Sequence, residues 1–103
     1  MRLTKFEVDS IKQTFLDVFK SGNIYLFGSR IDDTQKGGDI DLYIQTLKKD
    51  DLLEKKLNFL SFLKQKIGNQ KIDLIISKDT TRTIEKEALT KGILLWEKIL
   101  KIV

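Results

Sequence analysis

Asp39 and Asp41, in the run Gly37-Gly38-Asp39-Ile40-Asp41-Leu42, are the residues of this chain best placed to do chemistry. Side chains on a strand alternate, so Asp39, Asp41 and Tyr43 share one face while Ile40, Leu42 and Ile44 share the other. At the usual strand rise the two aspartate Cα atoms lie about 6.5 to 7 Å apart, which lets their oxygens converge on a hard cation. A third acid, Asp73, stands in the apolar run Lys71-Ile72-Asp73-Leu74-Ile75-Ile76. A strand this apolar carries an ionised Asp only at its end, beside a partner, or on a metal. Three such acids suggest a two-metal site, in which ions about 3.5 to 4 Å apart stabilise both the entering and the leaving oxygen at phosphorus. The alternative is three solvent-facing aspartates at strand ends.

Upstream, Leu26-Phe27-Gly28-Ser29-Arg30 reads as a phosphate-holding turn. Gly28 permits close backbone approach, and Ser29 offers a hydroxyl and an N–H. Arg30 is a candidate triphosphate contact, or else an ion-pair partner of Asp32 or Asp33. Lys36 could reach a phosphate from the same polar loop, although exposure suits it as well. Tyr43 is placed to pack at a sheet edge or to flank a nucleotide. Trp96 and the phenylalanines at 6, 15, 19, 59 and 62 read as core or interface.

The ordered set of Gly28-Ser29, Asp39-x-Asp41 and a later Asp73 resembles the nucleotidyltransferases of the DNA polymerase beta type, in particular the minimal nucleotidyltransferases. The resemblance covers nearly the whole chain. It implies a polymerase beta-like palm, catalytic and metal-binding roles for Asp39, Asp41 and Asp73, two Mg²⁺ ions, ATP as donor, and Gly28, Ser29 and Arg30 around the triphosphate. Asp73 would take the acceptor's proton directly or stabilise a metal-bound alkoxide or phenolate. It further implies an antitoxin of a HEPN/MNT module, attaching AMP to a tyrosine of a small helical HEPN-type partner. A different class of function remains open beside this one: a binding module that neutralises its partner by covering it. One departure is that many relatives carry a second arginine two places after the first, where this chain has Asp32.

With 103 residues, the chain is long enough for one domain over 1–103 with its own core. There is no cysteine and no histidine, so any metal must be held by oxygen. No apolar stretch approaches the ~20 residues of a membrane span, and the first residues lack a secretory signal core, which makes the cytoplasm the expected compartment. The net charge of +4 comes mostly from lysines scattered over helix faces, without interleaved aromatics, so direct nucleic-acid binding is not expected.

Around these residues the expected fold is α+β, a two-layer arrangement of a small mixed four-stranded sheet with helices packed on one face. Thr4-x-x-Glu7 has capping-box spacing, and apolar residues at helical intervals predict a helix from about Lys5 to Lys20. Strands are expected at Asn23–Phe27, Asp39–Gln45, Lys71–Ser77 and from Ile93 to Trp96. Asp50 should cap a long helix that presents Leu53, Leu57, Leu60, Leu63 and Ile67, and a shorter helix should run from about Thr81 to Lys91. Lys98 to Val103 could extend the last strand or bind a partner.

Overall fold

The computed structural model describes residues 3–28, 38–46 and 48–98. Helix α1 (Lys5–Phe19) starts at the expected capping box: the Glu7 N–H donates to Thr4 Oγ1 (3.1 Å) and the Thr4 N–H to Glu7 Oε1 (2.9 Å). Strands β1 (Gly22–Phe27) and β2 (Ile40–Gln45) follow, then helix α2 (Leu52–Ile67), strand β3 (Ile72–Ile76), helix α3 (Thr83–Lys91) and strand β4 (Ile93–Lys98). The sheet order is β3-β2-β1-β4, with β1 antiparallel to both β2 and β4 and β2 parallel to β3.

Strand alternation divides the apolar residues between two faces. Ile24, Leu26, Leu42, Ile44 and Leu74 point to one face, where Ile11, Phe15 and Phe19 of α1 and Phe59 and Leu63 of α2 cover them. The Phe19 ring bridges the two helices, 5.8 Å from Phe15 and 5.9 Å from Phe59 between centroids. Phe27 and Tyr43 point to the other face and pack on Ala88 of α3. The α+β class and the mixed four-stranded sheet are as expected. Two helices share one face, and α3 adds a smaller layer to the other.

The α2 expectation needs two corrections. Its N-cap is Asp51, with φ 54° and no side-chain capping bond, rather than Asp50. Leu53 and Leu57 are 71% and 58% exposed, because the buried side of the helix centres on Phe59 and Leu63. At about 100° per residue, Leu53 and Leu57 stand roughly 80° and 120° around the axis from Leu63. The leucine spacing was helical: Leu60, Leu63 and Ile67 pack on the core as expected, and Leu53 and Leu57 face away from it. Helix α3 begins at Thr83 rather than Thr81, since Asp79 Oδ1 accepts both the Thr81 N–H (2.9 Å) and the Thr81 hydroxyl (2.7 Å) and holds that segment in a turn.

Candidate active site

Of the residues singled out above, Gly28, Asp39, Asp41 and Asp73 are described; Ser29, Arg30, Asp32, Asp33, Lys36 and the tail beyond Lys98 lie outside the described residues. Asp41 and Asp73 face each other across the parallel β2–β3 pair, as register partners flanked by Ile40–Ile72 and Leu42–Leu74. Because Leu42 and Leu74 point into the larger core, both acids point to the α3 side of the sheet. Parallel pairing in this register is what joins two acids that are distant in sequence.

The Asp41 carboxyl is pushed above the ordinary aspartate range, first by burial and then by repulsion from Asp73 and Asp39 and a hydrogen-bonding contact with Asp73; Lys71 partly opposes this. Asp39, just before β2, is turned toward Lys71, whose ammonium lies 3.3 Å from Asp39 Oδ2. Lys71 is raised in turn by its bond to Asp39 and by the field of all three acids. Thus Asp41 and Asp73 are brought together, whereas Asp39 pairs with a lysine beside them. Among the described residues the three do not converge as one ligand set.

Gly28 ends the first strand beside these acids, with φ +75°. A Cβ there would lie 2.1 Å from Asp41 Oδ2, so only glycine lets the turn approach the carboxylate. Phe27, Asp41, Asp73, Ile75 and Ile84 line an open cavity of about 710 Å³ that also reaches Lys56 and Leu60 of α2. Hard oxygen donors under mutual repulsion, next to a backbone cradle, fit a divalent cation and a phosphate.

Tyr43 departs from expectation. It lies on the interior strand β2, not at a sheet edge, and it is fully buried. Its hydroxyl donates to Glu85 Oε1 at 2.7 Å. Glu85, also fully buried, accepts further bonds from Ser77 Oγ (2.6 Å), the Asp79 N–H (2.9 Å) and the Lys78 N–H (3.1 Å), and pairs with Arg82 Nε at 3.3 Å. Burial pushes its carboxyl up, but the hydrogen bonds from Ser77, Asp79, Tyr43 and Lys78 outweigh this and hold it at about 2. This node fixes the end of β3 to α3.

Neither Glu85 nor Lys71 was found by reading the sequence. Glu85 sits in a short charged helix and looks like any surface acid. For Lys71 a signal existed: alternation places it on the face of Asp73, and the register then sets it beside Asp39.

The family model for polymerase beta nucleotidyltransferases matches residues 9–99. Among curated proteins nothing matches significantly. Solved structures with a similar fold include a toxin–antitoxin complex with AMP-PNP (24% identity, 88% of this chain and 73% of that chain, TM-score 0.71). A mutant MntA–HpeT toxin–antitoxin complex is similar to the same degree of fold (22% identity, 88% and 73%, TM-score 0.71). A third is the complex of a tri-AMPylated Shewanella oneidensis HEPN toxin with its MNT antitoxin (21% identity, 93% and 74%, TM-score 0.69). No described helix is long and apolar enough to cross a membrane.

Proposed function

Since the chain belongs to the polymerase beta nucleotidyltransferase family, we propose that it transfers AMP from ATP to a hydroxyl, a tyrosine of a HEPN-type toxin partner, and so acts as the antitoxin of that pair in the cytoplasm. The observation that carries this reading is the Asp41–Asp73 pair set against Gly28, where a Cβ would collide with Asp41. The MNT antitoxin solved with a tri-AMPylated HEPN toxin supports the choice of AMP and of partner.

In the reaction, the acceptor oxygen bonds to the α-phosphorus of ATP, the bond to the β-phosphate oxygen breaks, and pyrophosphate leaves. Gly28 gives the phosphates room beside the strand end, with Ser29 and Arg30 as further phosphate contacts. Asp73, the exposed member of the pair, takes the proton from the acceptor hydroxyl. Asp39, Asp41 and Asp73 would hold Mg²⁺, which supplies neutralisation of the charge developing on the pyrophosphate. Lys71 holds only Oδ2 of Asp39, in an exposed pair, so the carboxylate stays able to turn toward the other two.

Incubation with α-labelled ATP, Mg²⁺ and a HEPN-type partner should add AMP to the partner, seen as discrete increments in intact mass and abolished by Asp41→Asn. Complex formation without any increment would overturn the reading. The Lys71–Asp39 ion pair favours a second one, in which the site is vestigial and the chain neutralises its partner by covering it. Retained neutralisation by Asp39→Asn and Asp41→Asn variants would establish that reading instead.

A further inference from the structure

Gly28 directly follows β1, and Asp41 and Asp73 stand on β2 and β3, so the candidate site crosses the sheet from its interior to its rim. In an in-line displacement the entering oxygen and the leaving pyrophosphate lie on opposite sides of phosphorus. With the phosphates at the β1 turn, the acceptor comes in from the β3 side. That rim is open: β3 pairs only with β2, leaving the outer N–H and C=O groups of a short strand without a neighbouring strand among the described residues. The cavity at Asp41 and Asp73 continues into a second one of about 440 Å³, and the two share Lys56, Leu74 and Ile75. The path runs along β3 from Asp73 to Ile76, about 10 Å for three strand steps, and on to Lys78 just past its end. Its far part has an apolar floor that includes Leu53 and Ile76, together with the cations Lys56 and Lys78 and with Arg82, which is paired with Glu85; its described lining contains neither a carboxylate nor an aromatic ring.

We propose that this groove docks an extended, acidic segment of the partner protein, which adds to the β3 edge and delivers its own tyrosine to Asp73. The proposal rests on the transferase reading above and names the part of the protein that selects the acceptor. Edge pairing supplies affinity through the main chain, and the cations supply preference for carboxylates about three to five residues from the tyrosine. A single-stranded nucleic acid is the poorer fit, because the distal part of the groove has cations but no ring on which a base can stack.

The test compares AMP transfer from ATP to four acceptors: N-acetyl-tyrosinamide, a tyrosine peptide with glutamates three to five residues to either side, the same peptide with lysines there, and an oligoadenylate RNA. The protein is used as wild type and as a Leu53→Glu, Lys78→Glu double variant; both residues line only the distal cavity and are exposed. The glutamate peptide should exceed the lysine peptide and N-acetyl-tyrosinamide at least tenfold in kcat/KM. The double variant should reduce that advantage below threefold and leave transfer to N-acetyl-tyrosinamide unchanged. Equal use of both peptides, equal slowing of peptide and small acceptor, or preferred extension of the RNA would each overturn the groove while leaving the transferase standing. Failure of the wild type to modify any of these acceptors or a HEPN-type partner protein would overturn both.

Discussion

Glu85→Ala removes the carboxylate to which Tyr43, Ser77, the Lys78 and Asp79 N–H groups and Arg82 are all directed. Hydrogen bonds to a charged group contribute about 1.5 to 3 kcal/mol each but are far from additive, and a buried donor left unsatisfied costs about 1 to 3 kcal/mol. With the Tyr43 and Ser77 hydroxyls both stranded, we take about 3 to 5 kcal/mol for the whole node, which for a domain of this size corresponds to a fall in Tm of roughly 15 to 30 °C. Glu85→Gln should cost only about 1 to 2 kcal/mol, because its amide oxygen can accept from the backbone N–H groups while the Tyr43 and Ser77 hydroxyls rotate to accept from its NH₂. Urea unfolding followed by Trp96 fluorescence gives these values, with the m-value unchanged if only stability has altered. The acid limb is a second check. The Glu85 carboxyl is held at about 2 in the fold against an ordinary value of 4.5, so as pH falls the unfolded chain takes up the proton first. The stabilisation is fully present above about 4.5 and is lost as pH falls toward 2, and the difference between wild type and Glu85→Gln should shrink over that window. A loss below about 1 kcal/mol for Glu85→Ala, or parallel acid profiles for wild type and Glu85→Gln, would refute the reasoning.

Gly28→Ala combines a left-handed alanine, at about 1 to 2 kcal/mol, with a Cβ driven into Asp41, and label transfer should fall about a hundredfold or more, more than stability alone explains. Asp41→Asn removes a carboxyl whose titration is raised by burial and by Asp73 and Asp39; metal-free stability at pH 7 should hold or rise, with the gain fading as pH falls through the raised value, while AMP transfer disappears. Mg²⁺ at ten times its dissociation constant should stabilise the wild type by about 1.4 kcal/mol in thermal melts, and the response should vanish on chelation and in Asp41→Asn.

Where a sequence pattern depends only on its near neighbours, it was readable. The Thr4–Glu7 box forms as expected, and the alternation in Ile40-Asp41-Leu42-Tyr43-Ile44 does set acids and core on opposite faces. Patterns that depend on what a face meets were not. The leucines of α2 repeat at helical spacing, yet the packing of Phe59 and Leu63 sets the rotation of the helix and leaves Leu53 and Leu57 in solvent. Likewise the three aspartates could be singled out one by one, but the register that pairs Asp41 with Asp73 also brings Lys71 to Asp39, and a register cannot be read from either strand alone. Glu85 is the extreme case, since its role is created by groups contributed from β2 and from the loop after β3.

The strand order β3-β2-β1-β4 gives the site a gradient of stiffness. Asp41, and Phe27 just before Gly28, are carried by strands paired on both sides, whereas Asp73 rides on a rim strand, and rim strands open at lower free energy than interior ones. Amide exchange should therefore be slowest through β1 and β2 and faster along β3. Under the proposed reading, the stiffer half of the site would hold the phosphates and the more yielding half would admit the acceptor, while the Glu85 node ties the end of β3 to α3.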